Sequence, residues 1–266
     1  MSAAPSSYEL TKLAGSLASF CFASRPVIAK YFRQNITIEG KADASPVTKA
    51  DKEAEAAIRA MIAQDYPDHQ IVGEEEGGVA SGLCDWVIDP IDGTRAFICG
   101  KPTFGTLIAL VDHHVPIAGV IDMPMMDEMY IGVKGQGATC NGVAIHTSAH
   151  TDLAQVRLAS TAPEALSEAA LSKFQALAER CLTASWGGDC YNYALLAAGH
   201  IDLVVEHCLA SHDIMALVPV IEEAGGIITD WQGEPVRLGK TDCLIAAASP
   251  ELHQRALAEM AVVIEQ

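Results

Sequence analysis

The feature that most constrains the fold is a short stretch in which an apolar run leads into two aspartates separated by a proline. Residues 86–88 are typical of a buried strand, and residues 89–96 then read DPIDGTRA. Because Pro90 has no N–H to donate, the ladder cannot continue unchanged beyond Asp89. The pattern therefore predicts a turn in which Asp89 and Asp92 converge on one point.

This aspartate pair predicts a cation site next to an anion site. Two carboxylates held together raise each other's pKa, so the pair favours a bound divalent cation. Gly93 and Thr94 follow at the expected start of a helix, where backbone N–H groups can bind an anion. An aspartate-rich surface turn is the alternative that fits the same residues.

Composition and net charge limit the classes of partner that the protein is expected to bind. The 266-residue chain is 50% hydrophobic and carries a formal net charge of −17, which repels nucleic-acid phosphates and predicts no nucleic-acid partner. No apolar run reaches the roughly 18 residues of a membrane span, and the N-terminus lacks the pattern of a secretory signal. We therefore expect a cytoplasmic protein with no membrane partner. The eight cysteines form no CxxC pair, which disfavours a zinc or redox motif.

Helical and strand patterns alternate along the whole chain, which predicts a layered α/β fold. The predicted helices span 7–33 with a kink or break at Pro26, 47–66, 163–182, 190–198, 213–225 and 250–264. The predicted strands are 70–73, 86–88, three between 104 and 133, 156–160, 184–186, 201–206, 226–229 and 244–248. Residues 34–46 have no periodicity and are expected to form a mobile loop.

Carboxylates recur where predicted strands end or helices begin, at the positions Asp51, Glu74, Asp89, Asp92 and Asp213. Such an oxygen-rich set prefers Mg²⁺ or Mn²⁺ to zinc. Two or three such ions can bind a phosphate, activate a water and neutralise the leaving oxygen. The alternative is that each aspartate only caps a helix, as Asp51 can do together with Thr48.

Four motifs give the chain a resemblance, over essentially its whole length, to the inositol monophosphatase family of Mg²⁺-dependent phosphomonoesterases. They are VTKAD (47–51), GEE (73–75), WVIDPIDGTRAF (86–97) and HDIMALVPVIEEAGG (212–226). The last motif usually has Trp before its Asp. We expect His212 at that position to alter packing rather than metal binding.

The resemblance implies an αβαβα sandwich that is commonly a homodimer. It also implies a single phosphatase domain over 1–266, with an N-terminal half of about 1–150 and a C-terminal half of about 151–266.

The resemblance also implies a role for each candidate residue. The implied metal ligands are Glu74, Asp89, the carbonyl of Ile91, Asp92 and Asp213, with Asp51 reaching a third ion through water. Gly93 and Thr94 would bind phosphate, and Thr94 with Glu74 would orient the attacking water, with Asp51 as the third catalytic residue. Two or three Mg²⁺ ions are expected, with Mn²⁺ as a substitute.

Two segments, 97–110 and 187–206, look like the histidinol-phosphate phosphatase branch of this family. The residues expected to bind substrate are Asp92, Gly93, Thr94, Gly188, Asp189, Asn192, Glu206 and Asp213. Asp189 and Glu206 would receive the ammonium and imidazole groups, and Asn192 would add a neutral hydrogen bond. Asp189 can instead cap the helix that follows it.

The predicted activity is therefore hydrolysis of L-histidinol phosphate, a small phosphomonoester. A phosphatase of the same fold that acts on inositol monophosphate or an adenosine bisphosphate is the alternative. A third possible function is that of a non-catalytic binding protein, which the full set of five carboxylates disfavours.

Overall fold

The computed structural model describes residues 7–35, 37–40 and 46–261. Helix α1 (Ser7–Tyr31) contains Pro26, and helix α2 (Lys49–Asp65) begins after Thr48, so both predicted N-terminal helices are confirmed. The predicted loop 34–46 is wrong in part, because β1 (Ile38–Gly40) lies within it and pairs antiparallel with β2 (Pro46–Thr48), which begins at its last residue. Residues 41–45, in the middle of that loop, lie outside the described residues.

The first sheet has its strands in chain order, so each strand pairs with the next. It consists of β3 (Gln70–Gly73), β4 (Cys84–Asp92), β5 (Gly105–Asp112), β6 (Val115–Met123), β7 (Glu128–Val133), β8 (Gly137–Cys140) and β9 (Val143–Ala144). Only β3 and β4 are parallel among these pairs. The short helix α3 (Thr94–Ile98) follows β4. The sequence did not predict β8 and β9, which are short and lack an apolar alternation.

The second sheet has the order β11-β10-β12-β14-β13. Its strands are β10 (Arg157–Ser160), β11 (Thr183–Trp186), β12 (Leu203–His207), β13 (Ile227–Thr229) and β14 (Cys243–Ala247). Five helices accompany it, namely α4 (Glu168–Ala178), α5 (Cys190–Ala197), α6 (Ser211–Ile214), α7 (Leu217–Glu223) and α8 (Pro250–Met260).

Two predicted helices are wrong in their extent. The region predicted as one helix over 163–182 begins with a single 3₁₀ turn, Pro163–Ala165, and α4 begins only after Ser167, whose hydroxyl accepts from the N–H of Ala170. The region 213–225 is divided into α6 and α7. In both regions a local break separates segments that share one apolar periodicity, so periodicity alone could not find it.

Three clusters of buried side chains arrange these elements in five layers. Helices α1 and α2 cover one face of the first sheet, with Leu17 and Phe20 packed near Trp86. Helices α5 and α7 fill the space between the two sheets. Helices α4 and α8 cover the outer face of the second sheet, where Phe174 and Leu252 are buried. The αβαβα sandwich is therefore confirmed.

Two strand glycines let the middle layer come close to the first sheet. A Cβ atom on Gly119 would lie 2.3 Å from the carbonyl oxygen of Ala216, and one on Gly132 would lie 2.3 Å from that of Pro219. Any side chain at these positions would push α7 off the sheet. This close packing fixes the position of α6, which directly precedes α7 and carries Asp213.

None of the helices in the described part of the chain is long and apolar enough to cross a membrane. The division of one domain near residue 150 stays a prediction; the first sheet ends at Ala144 and the second begins at Arg157.

Candidate active site

The predicted carboxylates meet at one edge of the sandwich, in an open cleft of about 410 Å³. The cleft lies between the end of β4, the start of α5 and helix α6. Its lining includes Glu74, Asp89, Ile91, Asp92, Gly93, Thr94, Asp189, Glu206 and Asp213. A second cavity of about 530 Å³ adjoins it and shares Arg95, Thr161, Glu206, Cys208 and Leu209.

Strand register brings Glu74 next to Asp89. Strands β3 and β4 are parallel and pair Gly73 with Ile88, so the next residue on each strand emerges at the same edge. The N–H of Glu74 donates to the carbonyl of Ile88 at 3.1 Å, which continues the pairing by one step. The parallel pairing of β3 and β4 therefore places the two carboxylates next to each other.

A β-bulge brings Asp92 to the same face as Asp89. Asp89 pairs with Leu107 and Asp92 with Gly105, so β4 has one more residue than β5 between these two pairs. In a regular strand, residues three apart point to opposite faces, and the extra residue cancels that difference. The predicted convergence of Asp89 and Asp92 is thus produced by a bulge inside a continuing strand, whereas the sequence predicted that the strand ends in a turn.

The segment after the bulge is tightly held. Gly93 has φ of +83°, a conformation that favours glycine, and its carbonyl accepts from the N–H of Phe97 to begin α3. The hydroxyl of Thr94 donates to the carbonyl of Ile91 at 3.1 Å, and the N–H of Ile91 donates to Asp89 Oδ1 at 3.0 Å. These bonds fix the backbone oxygen and the hydroxyl that the resemblance assigns to metal and water.

Glu74, Asp89, Asp92 and Asp213, here called the quartet, are strongly coupled by charge. Burial raises the pKa of Asp89 well above its usual range, and the charges of Glu74, Asp92 and Asp213 raise it further. Burial likewise raises the pKa of Asp92, with Asp189 and Asp213 adding to it. Arg95 is the one arginine or lysine among the described residues that line the cleft. A phosphate dianion would therefore be repelled unless cations neutralise the quartet.

The donor set fits divalent metals. Single oxygen atoms of Asp89, Asp92 and Asp213 all lie within 4.8 Å of one another. Carboxylate oxygens are the ligands that Mg²⁺ and Mn²⁺ prefer. These residues, with Glu74 and the carbonyl of Ile91, are therefore the ones that would hold the ions.

Asp51 lies behind the cleft, outside its lining, at the start of α2. Its Oδ2 accepts from the N–H of Thr48 at 2.9 Å and from the hydroxyl of Thr48 at 2.6 Å, so the predicted capping role is present. Its Oδ1 is buried and has no hydrogen-bond partner. Burial raises the pKa of Asp51, against the bonds from Thr48. A cap does not account for the second oxygen, which is free to bind a water on a metal.

Asp189 directs its carboxylate into the cleft. It occupies the residue before α5 with φ of +46°, yet its side chain makes no capping hydrogen bond. The N–H of Cys190 instead donates to Asp92 Oδ2 at 2.6 Å, so a quartet residue caps α5. Burial raises the pKa of Asp189 to about 6, partly offset by Arg95. The alternative that Asp189 serves as the cap is therefore wrong.

Glu206 is a buried carboxyl that lines both cavities. The hydroxyl of Thr161 donates to one of its oxygens, and the hydroxyl of Tyr193 donates to the other at 3.0 Å. Burial raises the pKa of Glu206 to about 7, although these two hydrogen bonds lower it. Near neutral pH this carboxyl can therefore either accept or donate a hydrogen bond.

Gly188 and Asn192 lie outside the lining of the cleft. The side-chain amide of Asn192 donates to the carbonyl of Gly187 at 3.1 Å, and a Cβ on Gly188 would lie 2.4 Å from Asn192 Oδ1. The structure thus places Gly188 in the turn before Asp189 and Asn192 in the first turn of α5.

Sequence reasoning missed Glu55, a fully buried carboxylate on α2. It accepts from the N–H of Glu75 at 2.7 Å and from that of Glu76 at 3.1 Å, and Arg59 Nε donates to it at 2.7 Å. These bonds hold the segment that begins with Glu74. The available signal was a charged residue four positions after Asp51, on the apolar face of a helix.

Comparisons with known proteins identify the family of the chain. The sequence profile of the inositol monophosphatase family matches residues 9–265. The chain is 43% identical over 259 residues to the bifunctional phosphatase IMPL2, chloroplastic, of Arabidopsis thaliana, which covers 94% of this chain and 75% of that protein. It is 35% identical over 228 residues to a histidinol-phosphatase of Chlorobaculum parvum, and the match covers 85% of this chain and 84% of that protein.

A solved structure of an inositol monophosphatase from Zymomonas mobilis is similar to almost the whole chain. Its TM-score is 0.87 at 42% identity, over 97% of this chain and 100% of that one. Fold and site together define a phosphatase of the metal-dependent type. The chain belongs to the inositol monophosphatase family.

Proposed function

We propose that the protein hydrolyses L-histidinol phosphate to L-histidinol and phosphate, with two or three Mg²⁺ ions, or Mn²⁺, held by the quartet. The observation that carries this proposal is the pair of carboxyl groups, Asp189 and Glu206, which line the same cleft as the quartet. Histidinol phosphate carries an ammonium and an imidazole, and these two carboxyl groups suit both. The similarity to a relative named histidinol-phosphatase supports the same substrate.

Each group of residues in the cleft has a separate role in this reaction. Bound divalent ions supply charge neutralisation, a water of lowered pKa and stabilisation of the leaving oxygen. Thr94 and Glu74 orient the attacking water, and the N–H groups of Gly93 and Thr94 receive phosphate oxygens. Asp51, whose buried Oδ1 has no hydrogen-bond partner, would help to hold a third ion. Asp189 and Glu206 hold the organic part, for which the adjoining cavity provides room.

Inositol monophosphate is the second candidate substrate. The name of the Zymomonas mobilis structure favours it, and carboxyl groups also accept hydrogen bonds from hydroxyls. In contrast to histidinol phosphate, it offers no cation to the two carboxylates. The cytoplasmic location and the homodimer stay predictions.

Phosphate release from a substrate panel tests the proposal. The panel contains histidinol phosphate, inositol 1-phosphate, an adenosine bisphosphate and p-nitrophenyl phosphate, each with Mg²⁺. We expect kcat/KM for histidinol phosphate to exceed that for inositol 1-phosphate by at least about tenfold, since about 1.4 kcal/mol corresponds to that factor. An equal or higher value for inositol 1-phosphate would refute the assignment, and no release from any ester would refute a phosphatase.

A further inference from the structure

His212 faces the quartet from helix α6. Its Nε2 lies 4.0 Å from Glu74 Oε1 and 3.5 Å from Asp213 Oδ1. The side chain is 26% exposed and lines the cleft. An imidazole nitrogen therefore lies among the carboxylates at the position where the family motif usually has Trp, a side chain that binds no metal.

The distance from His212 to Glu74 matches that between two ligands of one ion. A nitrogen of His212 and one oxygen each of Glu74 and Asp89 all lie within 4.8 Å of one another. For metal–ligand bonds of about 2.1 Å, adjacent ligand atoms lie about 3 Å apart and opposite ones about 4.2 Å apart. The separation of 4.0 Å between His212 Nε2 and Glu74 Oε1 falls within this range.

We propose that His212 is a direct nitrogen ligand of the divalent ion held by Glu74 and Asp89, and that it shifts this position toward transition metals over Mg²⁺. The inference rests on the proposed function, since it needs the quartet to bind metals. Imidazole binds Co²⁺ and Zn²⁺ more strongly than Mg²⁺, whereas carboxylate and water oxygens suit Mg²⁺. His212 would then contribute to metal binding, in contrast to the expectation that it alters packing only.

The two metal positions then differ in their donor atoms. Asp89 belongs to both groups of ligand atoms, and the second group consists of Asp89, Asp92 and Asp213. One position has an imidazole nitrogen and the other has only oxygen donors. The nitrogen-containing position should select a transition ion, while the all-oxygen position retains Mg²⁺.

Pulsed EPR of the Mn²⁺-loaded protein, without substrate, tests the bond directly. We expect modulation from a directly bound imidazole ¹⁴N in the wild type, and its change to the ¹⁵N pattern when histidine is ¹⁵N-labelled. The modulation should vanish in His212→Asn and in His212→Phe. It should persist in His113→Asn, a matched control in which an imidazole 2.6 Å from the carboxylate of Asp112 is removed outside the cleft.

Metal titration gives a second reading. We expect the Co²⁺ dissociation constant to rise by about tenfold or more in His212→Asn, while that of Mg²⁺ changes by less than about threefold. Circular dichroism and the melting temperature confirm that the variants are folded.

Two results overturn the proposal. One is Mn²⁺ binding by the wild type with no imidazole modulation, which would make His212 only a hydrogen-bonding neighbour and leave the phosphatase assignment intact. The other is failure of the folded wild type to bind Mn²⁺, which would remove the metal site and the proposed function with it.

Discussion

Two buried aspartates, Asp202 and Asp89, show how the same side chain supports the fold in one place and a reaction in another. Asp202 accepts from the N–H of Arg157 at 2.7 Å and from its Nε at 2.8 Å, and the hydroxyl of Ser148 donates to it as well. These bonds outweigh the effect of burial and lower its pKa. Hydrogen bonds from Arg157 and Ser148 therefore compensate the buried charge of Asp202.

Asp89 is equally enclosed, but its charged neighbours are carboxylates. One N–H, that of Ile91, donates to it, and burial followed by the charges of Glu74, Asp92 and Asp213 raises its pKa. A buried carboxylate among like charges stabilises nothing by itself. The difference teaches that incomplete compensation of a buried charge marks the place where something other than the chain has to bind.

The largest expected effect comes from removing the cations that this comparison requires. Treatment with EDTA should abolish phosphate release, because the quartet would then repel a phosphate dianion. Adding Mg²⁺ or Mn²⁺ in excess of the chelator should restore it. Full turnover in the presence of chelator would show that the buried acids need no ion.

Asp92→Asn should lower kcat by about 10²-fold or more, the scale on which a preorganised electrostatic group acts. The fold should persist, because the asparagine oxygen can still accept from the N–H of Cys190 while one repelling charge is lost. Steady-state kinetics and thermal melting measure the two effects. Turnover close to wild type would mean that Asp92 only caps α5.

Asp202→Asn is the reciprocal change and should destabilise the protein by about 3 kcal/mol, since it leaves Arg157 without its buried partner. The kcat of the folded fraction should stay within about twofold of wild type, because Asp202 does not line the cleft. Urea unfolding gives the free energy. A loss of kcat without a loss of stability would erase the distinction between the two aspartates.

Asp189→Ser should lower kcat/KM for histidinol phosphate by tenfold to over a hundredfold, as expected for a charge-assisted contact of about 1.5–3 kcal/mol. Hydrolysis of p-nitrophenyl phosphate should barely change. Asp152→Ser is the matched control, because Asp152 caps a 3₁₀ turn with its side chain outside the cleft. An undiminished preference for histidinol phosphate would eliminate the recognition role.

The smallest effect is a pH dependence of stability. The pKa of Glu206 is raised to about 7 and that of Asp189 to about 6, so the folded state holds protons that the unfolded state has released. The melting temperature in chelator should therefore fall by a few degrees as pH rises from about 5 to about 8. Glu206→Gln should flatten this slope. A melting temperature that rises over this interval would contradict the raised pKa values.

Local patterns predicted much of the fold and the positions of the quartet. Thr48 and Asp51 mark the start of α2 by their side chains alone, and the apolar run before Asp89 marks a buried strand. Such signals lie within a few residues, where composition and spacing are informative. The alignment of Glu74 with Asp89 then follows from the strands that precede them.

What the sequence could not show depends on contacts between distant residues. The bond from Arg157 to Asp202 joins positions 45 apart, and the bonds from Glu55 to the segment after Glu74 join positions 20 and 21 apart. The direction of His212 depends on how α6 is placed by α7. Capping of α5 by Asp92 was also hidden from the sequence, where Asp189, a favoured capping residue, was the alternative candidate for that role.

The bulge in β4 makes the site depend on chain length as well as on side-chain chemistry. With one residue fewer between Asp89 and Asp92, every acidic group would remain in the sequence, yet the second aspartate would point through the sheet into the opposite layer. Point substitutions cannot detect this dependence, since they preserve the number of residues between Asp89 and Asp92. Deleting Ile91 would therefore keep almost every side chain of the site in the sequence but turn the side chain of Asp92 to the opposite face of the sheet.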